Sequence, residues 1–308
     1  MKYIITGGAG FIGSNLAEIL SRDHEVAIID NLATGRMENI QDLVENRTVA
    51  FIRGDIDDAP LLQELFHDVD GVFHQAALPS VQRSVKNPMA THEANVTGTL
   101  NVLLAARDAS VRKVVMASSS SVYGNTPTLP KHEGMIPSPL SPYAVSKIAD
   151  EYYASVFSNL YGLQTVCLRY FNVFGPRQDP NSQYAAVIPN FVKRILNDRP
   201  PIIYGDGKQT RDFTYIKNVV QANIKSMESD AQGAFNIACG ERIDLLTLAR
   251  TIMEIVGTDV EPVHEAPRPG DVRDSLADIS RAQAAFGYAP QYDLKSGLKE
   301  TIAWFRNH

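Results

Sequence analysis

Thr6-Gly7-Gly8-Ala9-Gly10-Phe11-Ile12-Gly13 is the stretch that decides the fold. It follows a β-rich run, Lys2–Thr6 (KYIIT), and opens a segment with helical apolar spacing over 12–22. Gly7, Gly10 and Gly13 form a GxxGxxG pattern between strand and helix. Such glycines serve a tight turn, close approach of a pyrophosphate to bare backbone, and close packing of helix on strand. The helix N-terminus adds free N–H groups and the positive end of its dipole. Gly7, Gly10, Phe11, Ile12 and Gly13 are therefore read as dinucleotide contacts. Asp30 ends the second β-rich run, where an acid accepts from both hydroxyls of the adenosine ribose and repels a 2′-phosphate. The expected cofactor is NAD, with Asn31 beside Asp30 as a further contact.

Outward from this turn, short strands are predicted over 25–29, 49–53, 72–74 and 113–116, with helices over 59–67 and 90–107. The alternation predicts an α/β fold, a Rossmann-type doubly wound parallel sheet with right-handed crossovers. A long helix over about 142–160 and a strand over 164–170 follow. Gly54-Asp55-Ile56 succeeds the third strand; Asp55 reads either as an acceptor for the adenine amino group or as a helix cap, with Asp57 and Asp58 as rival caps. Gln75-Ala76-Ala77 succeeds the fourth, and its small residues suit either backbone approach to a cofactor or simple packing. Proline and glycine become frequent over 176–180, 200–207 and 267–270, which predicts a smaller mixed α/β substrate-binding cap. The expected division is 1–171 with about 213–240 for the dinucleotide domain, and 172–212 with 241–308 for the cap.

Composition narrows the function classes. The 308 residues are 44% hydrophobic and 21% charged, with a formal net charge of −6. An acidic chain without a basic run is a poor candidate for binding nucleic acid or an anionic membrane through charge. No apolar run reaches spanning length, and the first residues lack the regions of a signal peptide, so a cytoplasmic location is expected. Cys167 and Cys239 have no CxxC partner and no flanking His, which disfavours a disulfide scaffold or a metal site.

Two further motifs carry chemistry. The fifth strand runs into Ala117-Ser118-Ser119-Ser120-Ser121-Val122-Tyr123-Gly124, and the long helix carries Tyr143-Ala144-Val145-Ser146-Lys147. Residues four apart share a helix face, so Tyr143 and Lys147 converge on one point. A nearby ammonium favours the phenolate form of a tyrosine, and a serine hydroxyl can bond the same reacting oxygen. Together they make a proton-transfer unit beside a hydride acceptor.

With TGGAGFIG (6–13), SSSSVYG (118–124), SPYAVSK (141–147), LRYFNVFGP (168–176), RDFTYIKNV (211–219) and RPGD (268–271), the chain resembles the extended short-chain dehydrogenases/reductases that act on nucleotide sugars. Within them it is most similar to the UDP-sugar 4-epimerases of the UDP-glucose/UDP-N-acetylglucosamine group. That resemblance implies Ser119, Tyr143 and Lys147 as the catalytic set. Asn95 and Tyr170 join the expected cofactor contacts. For the substrate it implies Ser119, Ser120, Ser121 and Tyr143 at the sugar and Asn172, Arg211 and Arg268 at the diphosphate. Asp271 falls at the uridine ribose, and Ala186, Val187 and Phe191 at the uracil. The implied reaction is oxidation at C4, rotation of the 4-keto sugar and reduction from the other face. Dehydratases of the superfamily follow their catalytic Thr with Asp-Glu; Ser120 and Ser121 stand there instead. Ser275 occupies the position that gates pocket size, and a small residue there implies room for an N-acetyl group. The resemblance also implies a homodimer formed through the helices over 90–107 and 142–160.

Overall fold

Strands that are buried at every position, such as Gly71–His74 (GVFH), need cover on both faces, and only a sheet with helices on each side supplies it. The computed structural model, which describes residues 1–179, 186–266 and 272–308, shows that arrangement. Seven parallel strands lie in the spatial order Gly233–Ile237, Gln164–Tyr170, Lys113–Ser119, Gly71–His74, Lys2–Thr6, Glu25–Asp30 and Ala50–Arg53. The order reverses between Lys2–Thr6 and Gly71–His74, and a crevice opens at the carboxyl ends of these neighbours. The glycine turn follows one of them and Gln75-Ala76-Ala77 the other. The fifth strand is longer than its apolar run predicts and carries Ser118 and Ser119 to the same edge.

The helix expected over 90–107 is interrupted. Pro88–His92 and Gly98–Asp108 are α-helical, and Glu93–Thr97 between them is a π turn. Asn95 lies in that turn, fully buried. Its Oδ1 accepts the Leu78 N–H at 2.7 Å, and its Nδ2 donates to Ser146 Oγ at 3.0 Å. Asn95, expected among the cofactor contacts, ties the loop after the fourth strand to the long helix. π turns gather at functional sites because they re-aim one side chain, and here the aim is inward.

Among the described residues, the C-terminal part holds three two-stranded pieces and the helices Val187–Leu196, Leu245–Val256, Ser280–Phe286 and Leu294–Asn307. One apolar cluster runs from Leu16, Leu20 and Phe73 through Phe174 and Ile216 to Ile188, Phe191, Leu248 and Ile252, so these helices share a core with the sheet. Val187–Leu196 turns Ile188, Phe191, Val192 and Ile195 into it, one face of a helix. Phe191, expected at the uracil, is 1% exposed there, its ring packed among the core residues.

Candidate active site

The crevice is a cleft of about 660 Å³. One wall is the glycine turn, and each glycine has its own steric reason. Gly7 has φ +70°, and a Cβ on it would sit 2.6 Å from the Ala76 nitrogen. A Cβ on Gly13 would sit 2.3 Å from the Gly7 carbonyl oxygen and 2.7 Å from Gly8 Cα. Gly10 has an ordinary φ of −76°, and a Cβ there would meet only the Gly7 oxygen at 3.1 Å, so its missing side chain leaves room on the cleft side. The helix Phe11–Leu20 has no side-chain cap, so its first N–H groups remain available. Phe11, Ile12 and Gly13 line the cleft with Gly7 and Gly10.

Asp30 closes the second strand into the same cleft, 7% exposed. Its carboxylate accepts the Ala9 N–H at 2.9 Å and the Leu32 N–H at 2.8 Å. Burial pushes its pKa up, and the two backbone bonds work against that shift. Asn31 and Asp55 are joined through Asn31 Nδ2 and Asp55 Oδ2 at 2.5 Å, and both line the cleft beside Ile56. Asp58 accepts the Leu61 N–H and caps the helix Ala59–Leu65, which leaves Asp55 free of that duty. Gln75, Ala76 and Ala77 form the opposite wall. Tyr170 stands behind Gln75, its hydroxyl among Gln75 Oε1 at 3.2 Å and Asn223 Oδ1 at 3.1 Å.

The long helix spans Pro142–Tyr161 because Ser141 caps it through the Ala144 N–H, Pro142 fits the first turn, and Gly162 ends it in a left-handed conformation. Tyr143 and Lys147 both line the cleft from its first turns. Lys147 is 2% exposed, with Nζ 3.2 Å from Asp150 Oδ2. Burial works against its ammonium, but Asp150, followed by Tyr143, more than offsets this, and its pKa lies above the usual lysine value. Of the serine run, Ala117 and Ser118 border the cleft. Ser118 donates to Glu151 Oε1 at 2.5 Å, and Glu151 in turn holds Arg169 in a two-pronged pair at 2.6 and 2.9 Å. Ser119 lies just beyond the cleft wall, half-buried, where its Oγ accepts the Ser121 N–H at 3.1 Å. Ser120 and Ser121 form the short turn that follows, and Ser121 Oγ is buried without a hydrogen-bond partner among the described residues.

A second group of predicted residues meets where the cap joins the sheet. Asn172 has φ +36°, and its Nδ2 donates to the Asp212 carbonyl at 2.9 Å and reaches Ser275 Oγ at 3.5 Å. The Ser275 N–H donates to the Thr210 carbonyl, and Arg211 bonds the carbonyls of Thr210 and Arg273 at 2.8 Å. Asp212 holds the group together by accepting N–H bonds from Cys239, Gly240 and Ala277. Burial pushes its carboxyl up to about 7 against those three bonds. Ala186 is exposed and borders the main cleft, and Val187 beside it is half-buried. Asn172, Arg211, Ser275 and Val187 do not border that cleft. Arg268 and Asp271 lie outside the described residues.

Several cleft residues were not foreseen. Arg36 pairs with Asp179 at 2.8 Å, and Arg177 pairs with Glu18 at 2.7 Å and donates to the Ser14 carbonyl. Arg83 lines the cleft beside Ser80, which caps its helix, and has no ion-pair partner among the described residues. Pairs between positions this distant leave no local pattern; only the Ser80–Arg83 cap spacing was visible.

A glycine cradle at a bare helix N-terminus, a buried acid on the second strand and a Tyr–Lys pair in one cleft define a dinucleotide-binding enzyme of the short-chain dehydrogenase/reductase type. Residues 4–301 match the family model described as GDP-mannose 4,6 dehydratase, and the chain belongs to that family. It is 40% identical over 313 residues to a UDP-glucose 4-epimerase of Mycolicibacterium smegmatis, covering 100% of this chain and 99% of the other. It is also similar to the solved UDP-N-acetylglucosamine 4-epimerase of Methanobrevibacter ruminantium in complex with UDP-N-acetylmuramic acid (43% identity, TM-score 0.96, 99% and 98% of the two chains). The Thermus thermophilus UDP-glucose 4-epimerase complex with NAD matches at 37% identity and a TM-score of 0.90, over 99% of both chains.

Proposed function

We propose that the protein is an NAD-dependent UDP-sugar 4-epimerase that accepts UDP-GlcNAc and UDP-GalNAc, with or without UDP-Glc and UDP-Gal. The observation that carries this reading is that Tyr143 and Lys147 open onto the same cleft as the glycine turn and Asp30. Bound NAD supplies a two-electron acceptor that takes hydride from C4 of the sugar and returns it. The glycine turn and the helix behind it hold the pyrophosphate, and Asp30 the adenosine ribose. Asn31, Asp55 and Ile56 flank the adenine side; Gln75, Ala76, Ala77 and Tyr170 form the wall behind the ring.

Tyr143 accepts the 4-OH proton as the sugar is oxidised and gives it back to the same oxygen on reduction, so the proton balance closes without solvent. Lys147 keeps a positive charge beside it, and Ser119 orients the sugar oxygen. Neither Ser120 nor Ser121 can serve as the acid and base that water elimination needs, so the 4-keto sugar is reduced instead of dehydrated. We assign residues 172–212 and 241–308 to the substrate cap, with Asn172 and Arg211 on the UDP side and Ala186 and Val187 at the uracil.

Ser275 beside Asn172 supports the N-acetyl preference, since a hydroxymethyl leaves space that a tyrosine would fill. In a panel of UDP-Glc, UDP-Gal, UDP-GlcNAc and UDP-GalNAc, the expected products are the 4-epimers. Ser275→Tyr should lower kcat/KM for the N-acetylated pair at least about 10-fold more than for the plain pair. Equal losses on both would contradict the assignment. UDP-glucuronate belongs in the panel too, because Arg83 is a cleft cation with no ion pair among the described residues that could meet a carboxylate; its faster turnover would favour a uronate epimerase.

The same reading includes a homodimer. Tyr152, Val156 and Leu160 form an exposed stripe on Pro142–Tyr161 at four-residue spacing, and Val85 and Met89 lie exposed on the short helices packed against it. A Val156→Glu/Leu160→Glu variant should elute as a monomer where the parent elutes as a dimer; an unchanged dimer would place the contact elsewhere.

A further inference from the structure

The helix that presents Tyr143 and Lys147 continues into a buried acid that the chemistry above does not use. Asp150 is 1% exposed, and its Oδ2 is the group bonded to Lys147. Among the described residues its other oxygen, Oδ1, is buried without a partner in full hydrogen-bond geometry, and besides Lys147 the Thr99 hydroxyl is the side chain that bonds the carboxyl. A buried ion pair is a poor stabilising device, and apolar residues often replace such pairs at no loss. What Asp150 does to Lys147 is the better account of its presence.

Among the described neighbours Lys147 is its charged partner. His74, from the fourth strand, sits between the Thr6 hydroxyl at 2.7 Å and the Thr99 hydroxyl at 2.8 Å. Burial, followed by the charge of Lys147, pushes His74 down to about 3, so it is neutral. Glu151, next along the helix, is committed to Arg169 from the sixth strand. Cys167 on that strand is fully enclosed, and burial holds its thiol well above the usual range. Thr99, from Gly98–Asp108, brings an uncharged hydroxyl that bonds the Asp150 carboxyl and favours its ionised form. The remaining titratable group that feels Lys147 is Tyr143.

We propose that Asp150 is a positioning residue: it anchors the Lys147 ammonium at the base of the cleft and sets how strongly that charge acts on Tyr143, and thereby the acid limb of the pH–rate profile. This rests on the assignment of Tyr143 as the base. The carboxylate cancels part of the ammonium's field. A neutral amide at the same position keeps an oxygen for Lys147 Nζ and removes the cancellation. Burial pushes the Asp150 carboxyl up to about 6 against the opposing pull of Lys147. In the parent, acid therefore releases the same field that the amide releases at every pH.

The test compares the parent with Asp150→Asn, measuring kcat/KM from about pH 5 to about pH 9 on NAD-loaded enzyme. The acid limb of the variant is expected to move to lower pH by on the order of one unit. A tyrosinate difference spectrum, each enzyme against its Tyr143→Phe counterpart, should move the same way without relying on turnover. Asp150→Ser, which admits water beside Lys147, must shift the limb in the same direction and serves if the amide does not fold. A uniform loss with the limb unmoved, or a limb displaced to higher pH, would overturn the proposal. If Tyr143→Phe alone turns over normally, the assignment of the base fails instead, and the two failures are distinct.

Discussion

Tyr143→Phe should lower kcat by about 10²- to 10⁴-fold, the range that a positioned general acid–base contributes, while NAD remains bound. The phenyl ring preserves the shape of the first turn of Pro142–Tyr161 and its place in the cleft wall. Only the group that carries the 4-OH proton is removed. Lys147 keeps its buried partner Asp150 at 3.2 Å, so the charge beside the cofactor is unaffected. The measurement pairs steady-state turnover of UDP-GalNAc with the NAD content of the purified variant. A loss of turnover accompanied by loss of NAD would mean that the ring holds the cofactor and does not act as the base. A variant with near-parent turnover would remove the proton-transfer unit from the account.

Gly13→Ala has the other large effect, and it acts through packing. The added methyl would lie 2.3 Å from the Gly7 carbonyl oxygen and 2.7 Å from Gly8 Cα, both backbone atoms that no side-chain rotation can move aside. Overpacking of this kind costs about 3 kcal/mol at its upper end, which is roughly a 10²-fold weakening if it is relieved by distorting the cradle. Both the Tm of the cofactor-free protein and NAD retention should fall. Gly10→Ala separates the two contributions. Its φ is ordinary and its only close neighbour is the Gly7 oxygen at 3.1 Å, so NAD retention should fall while the cofactor-free Tm changes little. A Gly13→Ala protein with unchanged Tm and full NAD would contradict the packing argument.

These two sites were legible in the sequence because their chemistry is local. A strand, a glycine turn and a helix within Lys2–Leu20 carry their own geometry, and Tyr143 and Lys147 need only a helix to face one way. The seven-stranded sheet follows from the alternation of apolar runs and helical spacing. The π turn that buries Asn95 is decided by the contacts of Leu78 and Ser146 and has no signature in the residues of Glu93–Thr97. Phe191 is ambiguous in the sequence for a related reason: an apolar residue near a binding loop looks the same whether it faces ligand or core. Arg36, Arg83 and Arg177 reach the cleft because distant parts of the chain fold back over it, which no local pattern reports. Asp150 lies three residues beyond the SPYAVSK motif but gains meaning only from its burial beside Lys147.

The most direct test of the central claim follows a label at C4. UDP-GalNAc carrying deuterium at C4 is incubated with the protein, and the products are identified by NMR and mass. The account predicts UDP-GlcNAc with the deuterium retained at C4, because the hydride leaves and returns within one closed cleft. A product lacking the elements of water, a 4-epimer that has lost its deuterium, or no 4-epimer from any sugar of the panel with NAD-loaded protein would contradict it.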